Sequence, residues 1–419
     1  MPPGRGVNGR LWSAALIGVL LFADGALVGV LAGPRIMRAR SSLAAGHEHE
    51  KGAIDWTRPT PSDLRVAAVF GALQRDGLAA ALDALEQAAA QDSSVLRGGH
   101  QLAHALGRMA VATHAGDAAV IRQCRPDFAS GCYHGVVEAA VQARGRVDMA
   151  ELERMCLGAG GEDHPGAVHE CMHGLGHGVL GATDFDLDAG LHDCDALTAA
   201  FASWCYSGAF MEAIDAAVGE SRLGGGHSHH GAMDHGAMDH GTHSGDAGSP
   251  GHQLAIDPQD PYSPCDRFAD PYATECWVFQ GFVILRAQGL DARKALGVCD
   301  QAPQGRVVSC YTSIGLQLAG LFQREDVWVV DQCRLGRPEF SPHCGAGAAR
   351  ALVQIDWSGG RAMRFCAAVP AGWKDACYGT AAGTLAAFAA PSARATVCGT
   401  VEQAYVEPCR TAAGLAPRT

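Results

Sequence analysis

The sequence predicts an all-α protein: an α-solenoid of about nine helical hairpins of about 32–34 residues, each clamped by a disulfide, after an N-terminal transmembrane helix. Three observations predict this fold class. The 16 cysteines of the 419-residue chain recur at a nearly constant spacing, the segments between them are rich in alanine, leucine and glycine, and one long apolar segment precedes them all. Such a period is typical of stacked helical repeats, in which each unit buries its apolar face against its neighbours.

The first predicted element is a membrane anchor at residues 11–33. Its apolar run extends from Leu11 to Ala32 with one aspartate inside it and arginines on both sides. A helix of this length spans a bilayer, whereas a secretory signal has a shorter apolar core. We therefore predict residues 1–10 as a cytoplasmic tail and 34–61 as a polar tether, with cleavage after Ala32 as the alternative.

The cysteines form eight neighbouring pairs, and six of these pairs enclose ten residues each. Prolines lie between many of the paired cysteines, so each pair marks the place where one helix stops and the next starts. A disulfide that closes a loop of this size stabilises the fold by about 2–3 kcal/mol. The predicted disulfides join Cys124 to Cys132, Cys156 to Cys171, Cys194 to Cys205, Cys265 to Cys276, Cys299 to Cys310, Cys333 to Cys344, Cys366 to Cys377, and Cys398 to Cys409.

Eight disulfides place the body of the protein outside the cytoplasm, because cytosolic thiols are kept reduced. The helical repeats occupy residues 62–223 and 263–419, with the helices Leu64–Arg75 and Leu78–Ala90 capping the stack. Disulfide-linked helical hairpins of this kind resemble the Sel1-like repeats, and that resemblance implies a helical stack.

An insertion at residues 224–262 separates the two sets of repeats. It is low in complexity, contains no lysine or arginine, and includes the doubled sequence Gly-Ala-Met-Asp-His. Such a composition predicts a mobile loop, and its imidazole, thioether and carboxylate groups suit Cu(I), Cu(II) or Zn(II). The doubled sequence is similar to the Met-Asp-His repeats of bacterial periplasmic copper-resistance proteins, which implies copper capture. The predicted loop ligands are His227, His229, His230, Met233, His235, Met238, His240 and His243.

Three successive repeats carry metal-ligating side chains at the same two positions when the repeats are aligned. Counted from the second cysteine of each pair, these positions are +2 and +6; Gly98, one period before Cys132, aligns the repeat that lacks cysteines. Residues four apart share one face of a helix, and equivalent positions of stacked repeats face the same surface. The predicted metal ligands, in repeat order, are His100 and His104, His134 and Glu138, and His173 and His177.

The next repeat has Ser207 and Met211 at these positions, and we predict Met211 and its neighbour Glu212 as peripheral metal ligands. Glycine at +3 would let neighbouring helices approach closely. The predicted close-approach glycines are Gly135, Gly174 and Gly208. The paired ligands resemble the His-Glu helical repeats of deoxyhypusine hydroxylase, and this resemblance implies ligands supplied to metal ions by successive repeats.

These observations favour an exported, membrane-anchored metalloprotein whose loop delivers metal to a multi-histidine site. Copper is the favoured ion, with zinc and iron as alternatives, and the site could serve an oxidase or hydroxylase. Outside the loop, His343 is the only histidine in the second half of the chain. Potential ligands are therefore concentrated in a few repeats. The net charge of −12 argues against a nucleic-acid partner.

Two other functions fit parts of the same sequence. The repeats could form an adaptor that binds a partner protein on its concave face, without metal chemistry. Residues His169-Glu170-x-x-His173 match the zincin pattern H-E-x-x-H, in which two histidines bind zinc and Glu170 would be the general base.

Overall fold

A computed structural model describes residues 61–114, 118–144, 147–160, 164–223, 254–321 and 326–416. All regular secondary structure in these ranges is helical, which confirms the all-α prediction. The predicted anchor at 11–33 and its flanking segments lie outside the described residues. Within the described ranges, no helix is both long enough and apolar enough to cross a membrane.

The α-helices of the described residues alternate between long and short along most of the chain. In chain order they are α1 (Pro61–Asp76), α2 (Leu78–Gln91), α3 (Ser93–Arg97), α4 (Gly99–Thr113), α5 (Gly131–Arg144), α6 (Met149–Gly160), α7 (Pro165–Ala182), α8 (Leu187–Cys194), α9 (Ala199–Leu223), α10 (Tyr272–Ala287), α11 (Ala292–Cys299), α12 (Val307–Leu321), α13 (Asp326–Cys333), α14 (Ser341–Asp356), α15 (Gly360–Ala368), α16 (Lys374–Phe388), α17 (Pro391–Cys398) and α18 (Val406–Ala412). Short 3-10 helices lie at Ala118–Gln123, Cys265–Arg267, Ala371–Trp373 and Gln403–Tyr405.

The long helices form one continuous stack. Each packs against the next long helix in the chain, in the order α4, α5, α7, α9, α10, α12, α14 and α16, and the seven-residue helix α18 packs on α16 as the shorter last member of the stack. The other short helices flank them. The pair α1 and α2 caps the stack, with α2 packed on α4. The buried apolar side chains of all these helices form one contiguous core. Stacking is the source of that core, because no single helical pair could bury its apolar face alone.

All eight predicted disulfides are present, and all 16 cysteines are paired. Each disulfide connects a short helical segment to the following long helix, and the paired Cα atoms lie 5.2–5.7 Å apart. These distances match those of ordinary disulfides, so the clamps form without displacing the helices.

The stack curves far enough for its second half to contact its first half. Helix α16 packs against α7, and His169 Nδ1 on α7 donates a hydrogen bond of 2.7 Å to the carbonyl oxygen of Ala387, 218 residues away. The His169 ring stacks on Trp204 with a centroid distance of 4.6 Å, and Trp204 packs edge-on against Phe388. This aromatic contact closes the curve on one side.

The predicted loop is shorter on its C-terminal side than the boundary at residue 262 implies. Residues 254–262 belong to the described structure, and the side chain of Leu254 is buried. Tyr262 donates its hydroxyl hydrogen to the carbonyl oxygen of Val298 at 3.0 Å. Apolar burial and this hydrogen bond therefore attach the segment to α11. All eight predicted loop ligands lie in residues 224–253, outside the described residues.

Candidate metal centre

The six predicted ligands lie together where α4, α5 and α7 pack side by side. His104, His134, Glu138, His173 and His177 are buried, and His100 is half-buried. Each helix contributes two side chains one turn apart, and the shared register of the stack places the three pairs next to each other. The ring centroids of neighbouring histidines in this cluster are 4.6–5.4 Å apart.

Two glycines allow the helices around the cluster to approach each other closely. A Cβ atom on Gly135 of α5 would lie 2.0 Å from the carbonyl oxygen of His104 on α4. A Cβ atom on Gly208 of α9 would lie 1.9 Å from the carbonyl oxygen of His173 on α7. Both distances are far below van der Waals contact, so only glycine permits this packing. The structure therefore confirms the predicted close approach at both positions.

Three imidazoles converge at one point. The Nε2 atom of His104 lies 3.2 Å from Nε2 of His100 and 3.2 Å from Nδ1 of His134. Nitrogens that bind one tetrahedral zinc ion at about 2.0–2.1 Å lie about 3.3–3.4 Å apart. The spacing of these three nitrogens therefore matches a single metal position, which we name the first position.

The opposite nitrogen of each of these rings is held by an acceptor. His100 Nδ1 donates to the carbonyl oxygen of Phe128 at 2.8 Å, and His104 Nδ1 donates to Oε1 of Glu138 at 3.0 Å. In the neutral rings, both Nε2 atoms then carry lone pairs and face each other without a hydrogen between them. This arrangement is unfavourable for two neutral rings alone and favourable for rings that share a cation.

The lowered pKa values of His100, His104 and His134 keep these three rings neutral at neutral pH. Burial lowers the pKa of His100 to about 3, with the neighbouring His104 adding to the effect. Burial also lowers the pKa of His104, against the opposing effect of the Glu138 carboxylate. For His134, burial and the adjacent histidines, above all His173, hold the pKa well below the ordinary value. Neutral imidazole is the form that binds metal, so the first position needs no deprotonation of its rings at neutral pH.

Glu170 controls the proton of the third ring. Its Oε2 atom lies 2.9 Å from Nε2 of His134, and both side chains are buried. Burial raises the pKa of Glu170 to about 8, so at neutral pH the carboxyl group holds a proton and donates it to His134 Nε2. His134 Nδ1 then carries hydrogen towards His104. A cation at Nδ1 reverses this pattern: His134 Nε2 becomes the donor, and ionised Glu170 becomes the acceptor.

Glu138 contacts the His104 ring on the side opposite to the first position. Burial opposes ionisation of this carboxyl group, but His104 and Arg108 outweigh that effect and lower its pKa. Arg108 Nη1 donates to Oε2 of Glu138 at 2.6 Å, while Oε1 accepts from His104. Oε1 thus orients the His104 ring, and Oε2 is paired with Arg108.

A second group of ligand atoms lies beside the first and shares His134 with it. The potential ligand atoms of His134, His173 and His177 lie within 4.8 Å of one another. His177 Nδ1 donates to Oε2 of Glu212 on α9 at 2.9 Å. Although burial lowers the pKa of His177, this hydrogen bond and the charges of Glu212 and Glu138 outweigh burial and raise it.

A third group consists of Glu138, His177 and Glu212, whose ligand atoms also lie within 4.8 Å of one another. Its His177 Nδ1 atom is already hydrogen-bonded to Glu212. The group therefore serves to hold the His177 ring. The predicted peripheral residue Glu212 has this orienting contact, and its neighbour Met211 is half-buried on the same helix.

His169, the first histidine of the zincin pattern, is engaged elsewhere. It participates in the closing contact with Ala387 and Trp204, and no group of potential ligands among the described residues includes it. Glu170 is hydrogen-bonded to His134, so the first two residues of the pattern contact two different parts of the structure. The geometry gives no support to the hydrolase alternative.

Three partners of the cluster were not predicted in their observed roles. Arg108 lies one turn after His104 on the same face of α4, and continuation of the four-residue spacing is a signal that could have identified it. The orienting role of Glu170 and the contact to the Phe128 carbonyl depend on how neighbouring repeats pack, and the repeat register contains no signal for either.

Comparisons of this chain with protein-family models, curated proteins and solved structures give no match.

Proposed function

We propose that this is an exported metal-binding protein whose buried histidine cluster holds a transition-metal ion at the first position, formed by His100, His104 and His134. The observation that carries this proposal is that Nε2 of His104 lies 3.2 Å from a ring nitrogen of both His100 and His134, with the Nδ1 hydrogens of His100 and His104 donated to acceptors on the other side of the rings. Three imidazoles match the ligands of copper, zinc and iron sites in proteins.

Copper is the ion that we favour, and the reason lies in the insertion. Its methionine, histidine and aspartate side chains suit copper in both oxidation states, and it follows α9, the helix that carries Glu212. Leu223 ends α9 eleven residues after Glu212, about 16 Å along the helix. The insertion thus starts near the cluster, where it would capture metal and deliver it. Eight disulfides support export, because they persist in oxidising compartments.

The proposed site could bind a reactant as well as store a metal ion. Three protein ligands leave one position open on a four-coordinate ion, as in catalytic metal sites. Dioxygen or a substrate could bind there, so an oxidase or hydroxylase activity is part of the proposal. Membrane attachment through residues 11–33 and the adaptor function remain predictions from the sequence.

The proposal is tested by metal analysis of the protein purified from the compartment into which it is exported. Copper, zinc and iron would be counted in the wild type, in His104→Ala and in a variant that lacks residues 224–252. We expect His104→Ala to lose tightly bound metal and the deletion variant to keep it. His192→Ala is the matched control, since His192 is an exposed histidine outside the cluster and should leave the metal content unchanged.

The opposite pattern would refute the proposal. If His104→Ala keeps its full metal content with all disulfides formed, while the deletion variant loses its metal, the insertion alone binds metal and the buried cluster does not.

A further inference from the structure

We infer that the histidine cluster is a two-ion centre, in which His173 and His177 hold a second metal ion beside the first position. This inference rests on the proposed function, since it assigns a second ion to the same cluster. It follows from three features of the structure: the separation of the ligand groups, the unpartnered nitrogen of His177 and the shared position of Glu138.

A single ion cannot use all five histidines. Ligand nitrogens at about 2.0–2.1 Å from one ion lie no more than about 4.2 Å apart, even on opposite sides of it. Among the described residues, the groups whose ligand atoms all lie within 4.8 Å never combine His100 or His104 with His173 or His177. His134 is the one histidine common to both groups. An ion at the first position therefore leaves His173 and His177 without a metal contact.

His177 has a ring nitrogen that no other described residue satisfies. Its Nδ1 atom donates to Glu212, and its ring is only 4% exposed. The Nε2 atom is buried and has no hydrogen-bond partner. A buried polar atom without a hydrogen-bond partner costs free energy, so its presence here indicates that a ligand binds to this nitrogen. A metal ion bound to Nε2 satisfies that atom, and Glu212 holds the ring in the required orientation.

His173 supplies the second imidazole. It lies one helical turn before His177, and the two ring centroids are 5.1 Å apart. Its ring is also 4.8 Å from that of His134, so the second position lies next to the first. No hydrogen bond of the described residues engages a ring nitrogen of His173, which leaves both nitrogens available to the metal.

The carboxylates around the cluster can balance the charge of two ions. Oε1 of Glu138 lies 3.0 Å from His104 Nδ1 and 4.0 Å from His177 Nδ1, between the rings of the two positions. Glu170 lies behind His134, and Glu212 lies behind His177. Three carboxyl groups thus face the cluster, while Arg108 pairs with Glu138 and the charge of Arg350 acts on His173. Ions at both positions would be balanced in part by these carboxyl groups, with Glu170 giving up its proton.

The first test counts ions per protein after equilibration of the full chain with Cu(II) and removal of free metal. The wild type is compared with His104→Ala, His177→Ala and the double variant, and His192→Ala is the control. The insertion contributes equally to every sample, so differences report the cluster. We expect each single variant to bind one ion fewer than the wild type and the double variant to bind two fewer.

The outcomes separate this inference from the proposed function. If His104→Ala and the double variant each lose one ion and His177→Ala loses none, the protein has a single-ion centre and the inference is wrong, while the proposed function stands. If none of the three variants loses an ion, both are wrong.

A second measurement needs no substitution, in case a variant does not fold. Two Cu(II) ions at neighbouring positions of one cluster lie close enough to couple magnetically, so the electron paramagnetic resonance spectrum of the loaded wild type should contain a coupled-pair signal or less signal than its bound copper predicts. A spectrum in which all bound copper appears as isolated ions would overturn the two-ion centre.

Discussion

At the scale of the residue, the hydrogen bonds behind the imidazoles decide which nitrogen each ring presents. The Phe128 carbonyl leaves Nε2 of His100 free, and Glu138 leaves Nε2 of His104 free. His134 presents Nδ1 instead, because Glu170 occupies the side of Nε2. These partners orient the rings before any metal arrives, which reduces the cost of ordering the ligands when metal binds.

Glu170→Ala should weaken metal binding at the first position by about 10–100-fold, since loss of the group that hydrogen-bonds a metal-bound histidine commonly has an effect of this size. Glu170→Gln should have a smaller effect, because the amide oxygen can still accept a hydrogen bond from His134. The measurement is competition for Cu(II) or Zn(II) with a chelator of known affinity. Equal affinities for the wild type and Glu170→Ala would contradict the orienting role.

The pH dependence of metal binding should differ between the two positions. A pKa below the ordinary value keeps a ring neutral as the pH falls, so protons compete weakly at His100, His104 and His134. We therefore expect the first position to retain metal at about pH 5.5, where an ordinary histidine with a pKa of about 6.5 is mostly protonated.

Burial and the adjacent histidines hold the pKa of His173 well below its ordinary value, whereas Glu212 raises the pKa of His177 against the effect of burial. The second position should therefore lose its metal at higher pH than the first, because protonation of His177 removes one of its two ligands. Dialysis of the metal-loaded protein at a series of pH values, followed by metal counting, would show two release steps. His177→Ala should lack the step at higher pH. Loss of all metal in one step near pH 6.5 would contradict the difference between the positions.

At the scale of the element, the ligands depend on how closely the long helices approach each other. Helices α4 and α5 meet at Gly135, and α7 and α9 meet at Gly208, in both cases against a backbone carbonyl of a cluster histidine. The Gly135 contact therefore determines both the packing of α4 on α5 and the distances between their rings, and the Gly208 contact determines how closely the helix of Glu212 approaches α7.

Gly135→Ala should destabilise the protein by about 1–3 kcal/mol or more and reduce metal binding, because the added methyl group would force α4 and α5 apart. Gly181→Ala is the matched control: Gly181 is exposed on α7, and a Cβ atom there would meet nothing within 4 Å. Alanine at this helical position should be neutral or stabilising by up to about 1 kcal/mol. Denaturant unfolding and metal counting would measure both variants, and equal midpoints for the two would contradict the packing argument.

At the scale of the whole molecule, the disulfides and the closing contact give the stack its form. Each clamp connects neighbouring helices only, whereas the contact of α7 with α16 connects residues 218 positions apart. The disulfides stabilise every repeat separately. The contact of α7 with α16 depends on the curvature that accumulates over the repeats between these two helices.

Reduction of the disulfides should lower the stability of the whole stack, because eight closed loops at about 2–3 kcal/mol each contribute to it in the chain-entropy model. The urea midpoint with and without reductant would measure this loss. Before reduction, alkylation of the denatured exported protein should modify no cysteine. Alkylation of most cysteines in that sample would contradict the disulfide assignment and favour thiol chemistry instead.

The sequence by itself determined the features that repeat locally. The cysteine period fixed the helical class and all eight disulfides, and the +2 and +6 register identified the histidines that the structure brings together. These predictions succeed because a helical face and the junction between two neighbouring helices depend on residues close in the chain.

Only the tertiary structure decided the contacts between distant or unlike positions. In the structure, His169 donates a hydrogen bond to the Ala387 carbonyl oxygen, whereas Glu170 is hydrogen-bonded to His134. The two residues are adjacent in a motif that suggested one shared site. The tertiary structure also divided five histidines of one register into two groups around His134. The physical reason is that ring orientation and closure depend on small rotations between repeats, which add up along the stack and leave no periodic trace in the sequence.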